Sequence, residues 1–295
     1  MKALLLPPGG TTPLSTPRLG GRPPKPPFPG EPAQTAGPWA SPPTGLGADI
    51  LDDAALARLY AYPAGPGPVL RANMVGSLDG AATVDGLSGG LSSPGDRRVF
   101  WALRALADVI LVGAGTARAE GYHPTRIKEP WASLGLRAGR PAAPPLALVS
   151  RSLQLDPDAP LIAEAPADAR TIVITCAASP PDRRAALAGK ADLIVAGDDS
   201  VDLAAAVAAL AGRGLGHILC EGGPTLLSDV AVAGLLGELC LTLSPVLAGP
   251  AAVRVLASHS APGHPAAPFP ARRLTLAHLL EEDDVLFARY AAAPA

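Results

Sequence analysis

Residues 108–113 read Asp-Val-Ile-Leu-Val-Gly and run straight into Ala-Gly-Thr116. An apolar run of this length is too short for a helix. Its stop at glycines marks a buried strand that delivers a tight turn and a hydroxyl to the end of a sheet. The same device returns at His217-Ile-Leu-Cys-Glu-Gly-Gly-Pro-Thr225. Strands buried on both faces belong to parallel sheets covered by helices, so two such junctions bind the chain to an α/β fold. Where the strand ends converge, the fold offers one nucleotide-binding crevice.

The rest of the chain fits that frame. A strand is expected at Val69 to Val75, then a polar turn at Ser77 to Gly80 and a loop from Asp85 to Ser93. Ser93-Pro94 starts a helix well, with a hydroxyl to cap and a proline where the amide has no partner anyway. That helix runs to about Ala107, burying Val99, Leu103 and Leu106, while Arg97 and Arg104 share another face. After Thr116 the chain reads as irregular up to Pro145. Strands are then expected at 145–150, 170–175, 192–196 and 217–220, with helices at 181–188, 201–212 and 224–233 between and after them. The stretches 238–246, 273–279 and 285–290 read as strands without intervening helices. The fold class is therefore α/β: a mostly parallel sheet with helices on both faces and an antiparallel C-terminal edge.

Residues 1–46 hold thirteen prolines and little apolar periodicity, the composition of a disordered arm. Ala48 to Tyr60 reads as a short helix, and residues 47–295 as one domain. A net charge of −2 argues against nucleic acid as a partner, and no run reaches the about 18 apolar residues of a membrane helix, which makes the cytoplasm the expected address. Cys176, Cys220 and Cys240 form no C-x-x-C pair, and the histidines have no ligand spacing, so neither disulfides nor a metal are expected. No G-x-S-x-G elbow argues for a hydrolase.

Gly113-Ala-Gly-Thr116 is only a partial dinucleotide fingerprint, because Arg118 occupies the third glycine position and no acidic residue follows at the ribose distance. Glu221-Gly222-Gly223-Pro224-Thr225 is the stronger motif. Its glycines let backbone amides converge at the positive end of a proline-started helix, which suits a pyrophosphate. Asn73, Asp79, Ser88, Arg104 and Glu221 are the polar residues that packing explains least. Asp79 before Gly80 is half a turn device. On a solvated face Arg104 would be an ordinary surface charge, whereas Glu221 ends an apolar strand where a carboxylate needs donors.

Taken in order, N-x-x-x-S-L-D-G, L-R-A-x-A-D-V-I-L-V-G-A-G-T and E-G-G-P-T-L resemble the pyrimidine reductase family of riboflavin biosynthesis over about Val69 to Leu247. The resemblance implies a dihydrofolate-reductase-like fold, a homodimer, and NADPH-dependent reduction of the ribosyl part of 5-amino-6-(5-phosphoribosylamino)uracil to the ribityl product. It places cofactor contacts on Gly76, Gly90, Gly113, Thr116, Ser150 and the run Gly222, Gly223, Pro224, Thr225 and Leu226. Substrate contacts fall on Asn73, Ser88, Arg104 and Glu221. No group is singled out as the proton donor, Asp79 and an ordered water being the candidates. Ser150-Arg151-Ser152 offers a hydroxyl and a guanidinium to the 2′-phosphate of NADPH. Nothing before Arg71 offers the H-x-E or P-C-x-x-C of the deaminase that accompanies the reductase in bifunctional members, and Asn73 stands where those have lysine. Both features resemble the single-function form. Glu120-Gly-Tyr-His-Pro124 departs from the family's acidic pair and proline by an apparent two-residue insertion. That departure motivates an alternative substrate, dihydrofolate or another heterocycle. A nucleotide-binding protein without catalysis is the alternative from another class.

Overall fold

The computed structural model describes residues 1–5, 51–257 and 271–292. Among these, local sequence sets where the helices start. Ser93 accepts the Asp96 amide at 3.0 Å and Pro94 follows as the first helical residue, while Asp52 and Asp202 cap two further helices through Ala55 and Ala205. The elements run β1 (Lys2–Leu5), α1 (Asp53–Leu59), β2 (Val69–Ser77), α2 (Pro94–Leu106), β3 (Val109–Gly113), α3 (Ala114–Ala119) and β4 (Leu146–Val149). They continue with α4 (Pro160–Ala163), β5 (Ile172–Thr175), α5 (Pro181–Leu187), β6 (Asp192–Val195), α6 (Leu203–Ala211), β7 (His217–Cys220) and α7 (Pro224–Val232). The last three are β8 (Leu236–Ser244), β9 (Leu274–Glu282) and β10 (Val285–Ala292).

Among the described residues all ten strands join one sheet in the order β1-β9-β10-β8-β2-β7-β3-β4-β5-β6. From β8 to β6 every neighbouring pair is parallel, and β10, β9 and β1 add the antiparallel edge. The alternation of side chains along each strand divides the core in two. Ile110, Val112 and Leu148 pack with Leu56 of α1 and with Val99 and Leu103 of α2, whereas Val109, Leu111 and Ala147 pack with Val207 and Leu210 of α6 and with Leu227 and Val230 of α7. Helices thus cover both faces, as the sequence predicts. The two glycine-bearing strands β3 and β7 are parallel neighbours, with Leu111 opposite Cys220, so both junctions open side by side at the same end of the sheet.

Two expectations are corrected. Residues 1–46 do not form an arm throughout. Lys2–Leu5 is an edge strand, Lys2 pairing with Glu281 and Ala3 with Leu280, and the Met1 carbonyl accepts the Leu51 amide at 3.1 Å. The short run Lys-Ala-Leu-Leu-Leu precedes the first proline, and the many prolines downstream mask it in any reading of composition; residues 6–46 of the expected arm lie outside the described residues. The chain is also not irregular directly after Thr116. It turns without a break from β3 into the short helix α3, which makes Thr116 a helical residue.

Candidate active site

At the junction of β7 and α7 the chain leaves buried Glu221 through Gly222 and Gly223 into a helix opened by Pro224. The Gly113 amide donates to the Gly222 carbonyl at 2.8 Å, so the two glycine turns are fastened to each other. Gly222 has φ +78°, a conformation that side-chain-bearing residues rarely take, and the Gly222–Gly223 peptide is cis. A Cβ on Gly223 would stand 2.4 Å from Thr116 Oγ1, and one on Gly222 3.0 Å from Met74 Sδ. Gly223 caps α7 without a side chain, leaving the first amides of the helix, those of Thr225 and Leu226 among them, without an internal cap. An open helix end with backbone brought close by glycine fits the diphosphate of a dinucleotide.

Beside this cradle lies a buried charged cluster. Arg104 of α2 donates to Glu221 through Nε and Nη2, each at 2.7 Å, the bidentate geometry of a guanidinium on a carboxylate. The Tyr122 hydroxyl donates to Glu221 Oε2 at 2.6 Å. Only 10% of the Arg104 side chain and 3% of that of Glu221 reach solvent, so the reading of Arg104 as a surface charge is overturned. Phe100 supplies a ring 4.1 Å from the guanidinium carbon. Burial, the largest single influence, lowers the Arg104 pKa, but the charge and hydrogen bonds of Glu221, together with Tyr122, outweigh it and raise it. Burial, with Glu221 adding to it, holds the Tyr122 hydroxyl well above the ordinary tyrosine value, which keeps it a donor.

The same turn secures the Ser88 loop. Glu120, at the end of α3, accepts the Ser88 amide at 2.9 Å, and Ser88 begins the 3₁₀ turn that ends at Gly90. Asn73 on β2 is level with Glu221, one residue beyond the Ala72–Cys220 pair, and its Oδ1 is buried without a partner among the described residues. The structure therefore gathers Asn73, Ser88, Arg104, Glu221, Gly113, Thr116, Gly222 and Gly223 around neighbouring strand ends.

Others stand apart. Gly76 faces Val255 and lines an apolar cavity of about 380 Å³ on the α7 side of the sheet, together with Leu227, Leu239 and Leu241. This cavity is thus not where the charged groups converge, and the charged cluster carries the better chemical argument. Ser150 follows β4, one strand beyond Gly113, and its hydroxyl accepts the Leu153 amide at 3.0 Å, while Arg151 is exposed. Asp79 braces a turn. It accepts from the Ser77 hydroxyl, the Ala248 amide at 3.1 Å and the Gly249 amide at 2.7 Å; the Ser77 bond first, then those amides, holds its carboxyl at about 2. A group so held is a poor proton donor at neutral pH. Tyr122 and Glu120 are the residues that sequence reasoning missed. Their signal was the need of the Glu221 carboxylate for donors, set against an unassigned tyrosine just beyond the Gly113–Thr116 turn.

Residues 68–281 match the family model described as RibD C-terminal domain. A 2,5-diamino-6-ribosylamino-4(3H)-pyrimidinone 5′-phosphate reductase of Methanothermobacter thermautotrophicus is 28% identical over 64% of this chain and 83% of its own length. Among solved structures, a pyrimidine reductase-like protein of Corynebacterium diphtheriae is 29% identical, with a TM-score of 0.68, over 77% of this chain and 93% of that one. A diaminohydroxyphosphoribosylaminopyrimidine deaminase/5-amino-6-(5-phosphoribosylamino)uracil reductase of Thermotoga maritima is 18% identical, with a TM-score of 0.54, over 77% of this chain and 57% of that one, a likeness of fold.

Proposed function

The chain belongs to the RibD C-terminal domain family, the pyrimidine reductases of riboflavin biosynthesis, and from that membership we propose that it reduces 5-amino-6-(5-phosphoribosylamino)uracil to its ribityl form with NADPH. The observation that carries the reading is the placement of an uncapped helix end and its glycine cradle beside a buried Arg104–Glu221 pair. NADPH, when bound, supplies the hydride to the sugar carbon next to the amine, and the protein's contribution is to hold charge and geometry. Gly222, Gly223 and the first amides of α7 would take the diphosphate, with Thr116 packed against them. Arg104 commits Nε and Nη2 to Glu221, which leaves Nη1 as the part of its fork for a sugar oxygen or the phosphate. Asn73 Oδ1, an acceptor without a partner among the described residues, suits an N–H of the pyrimidine.

Within the same substrate class the name of the archaeal relative points to the 2,5-diamino-pyrimidinone, which carries an amino group where the uracil carries a carbonyl. Growth of a riboflavin-requiring host that lacks its own reductase tests the reading, and failure to rescue it with well-expressed protein counts against it. A dihydrofolate reductase reading is favoured by one observation, the departure of the 120–124 turn, whose Tyr122 reaches Glu221. Turnover of dihydrofolate with none of either pyrimidine decides for it. We also carry forward the homodimer that the resemblance implies, which sedimentation of the purified protein tests.

A further inference from the structure

We infer that Tyr122 is a positioning residue for substrate reduction, one that acts through Glu221 on Arg104; the assignment rests on the reductase reading above. The Glu221 carboxylate receives three donated hydrogen bonds, Arg104 Nε on Oε1 and both Arg104 Nη2 and the Tyr122 hydroxyl on Oε2. The two guanidinium bonds set the carboxylate and the fork in one plane, and the phenol fixes that plane from a different element. Tyr122 is itself firmly delivered. Its amide donates to the Ala117 carbonyl at 2.8 Å, across Gly121 with φ +64°.

The segment that carries Tyr122 touches three parts of the site. Thr116 packs at Gly223, Glu120 accepts the Ser88 amide, and Tyr122 reaches Glu221. One short stretch, 116–122, therefore couples the glycine cradle, the Ser88 loop and the charged pair. Among these links, the phenol hydroxyl is the one that a single-atom change can remove while the aromatic ring, 5.4 Å from the Arg104 guanidinium carbon, stays in place. Burial favours the protonated phenol, so the bond runs from tyrosine to carboxylate throughout the neutral range.

The experiment is steady-state kinetics of the full chain with NADPH and 5-amino-6-(5-phosphoribosylamino)uracil, comparing wild type with Tyr122→Phe, and repeating the pair in a Glu221→Ala background. Loss of a hydrogen bond to a charged group predicts that Tyr122→Phe lowers kcat/KM about tenfold to a hundredfold. NADPH affinity measured without substrate should stay within about twofold, since no cradle atom is touched. In the Glu221→Ala background the same change should cost less than about twofold, because the group through which the tyrosine acts is gone. A Tyr122→Phe protein with a lowered Tm and unchanged kcat/KM would make the hydroxyl a structural bond only and overturn the assignment. Equal losses in both backgrounds, or a parallel loss of NADPH affinity, would overturn it as well. If the wild type does not turn over the pyrimidine at all, the reductase reading falls first and this assignment falls with it.

Discussion

Replacing Glu221 by Gln keeps the shape of the side chain and removes one charge, which makes it a sharp probe of the cluster. With the amide oxygen at the Oε2 position, the bonds from Arg104 Nη2 and Tyr122 survive, but the amide NH₂ then faces Arg104 Nε–H, donor against donor. With the groups reversed, two donors lose their acceptor. At least one charge-assisted bond is lost, about 1.5–3 kcal/mol, and the guanidinium is left without a counter-charge while only 10% of its side chain reaches solvent. Breaking a buried ion pair by removing one partner costs about 3–5 kcal/mol. The two bounds meet near about 3 kcal/mol, which for a domain of this size is a fall in Tm of about 6–12 °C. Urea unfolding at pH 7, followed by circular dichroism, measures it, with the denaturant slope unchanged. A loss below about 0.5 kcal/mol, the range of exposed pairs, would refute the burial on which this reasoning stands.

Three further perturbations address the cofactor side and the pH response. Gly223→Ala places a methyl 2.4 Å from Thr116 Oγ1 and should weaken NADPH binding; adding Thr116→Ala removes that oxygen and should restore part of the affinity by titration calorimetry, whereas no restoration would place the conflict elsewhere. Arg151→Ala should raise the NADPH dissociation constant and leave that of NADH nearly unchanged, equal losses for both being the result that removes Arg151 from the 2′-phosphate. His278 is pushed down to about 3 by burial and then by the Arg289 and Arg71 guanidiniums, and its Nε2 has no partner among the described residues. A base with a lowered pKa stays neutral in the fold while the unfolded chain takes up the proton. Its stability contribution is therefore complete above about pH 6.5 and is lost as pH falls towards about 3, at up to about 1.4 kcal/mol per pH unit. His217, lowered chiefly by burial, adds to the loss with the same sign. His278→Phe, which keeps a ring against Tyr60, should flatten the slope between pH 6.5 and 5, and an unchanged slope would contradict the neutral buried imidazole.

How much of the molecule is legible in its sequence depends on the range of the interactions involved. Asp108 to Gly113 and His217 to Gly223 announce themselves through local composition, and their pairing as neighbours fits the need of parallel strands for covered faces. Ser93-Pro94 likewise fixes the start of α2 from adjacent atoms alone. Arg104 and Glu221 can each be suspected, but their bond spans 117 positions, and helical phase groups Arg104 with Arg97, which is exposed. Tyr122 is not legible because its bond to Glu221 spans 99 positions and its turn has no periodicity to interpret. Lys2–Leu5 escapes for the same reason at larger scale: an edge strand of four residues gains its stability from a partner, β9, at the other end of the chain. The antiparallel edge itself is evident from three strands without helices between them.

The reductase assignment is tested most directly by incubating the purified protein with 5-amino-6-(5-phosphoribosylamino)uracil, and in parallel its 2,5-diamino counterpart, and NADPH carrying deuterium at the transferable position. The predicted result is oxidation of the cofactor with one deuterium found by mass spectrometry on the former ribosyl carbon next to the amine, and loss of both signals in Gly222→Val, where a side chain would enter the cradle at φ +78°. Cofactor that remains reduced with both pyrimidines, under conditions where it binds, would contradict the assignment.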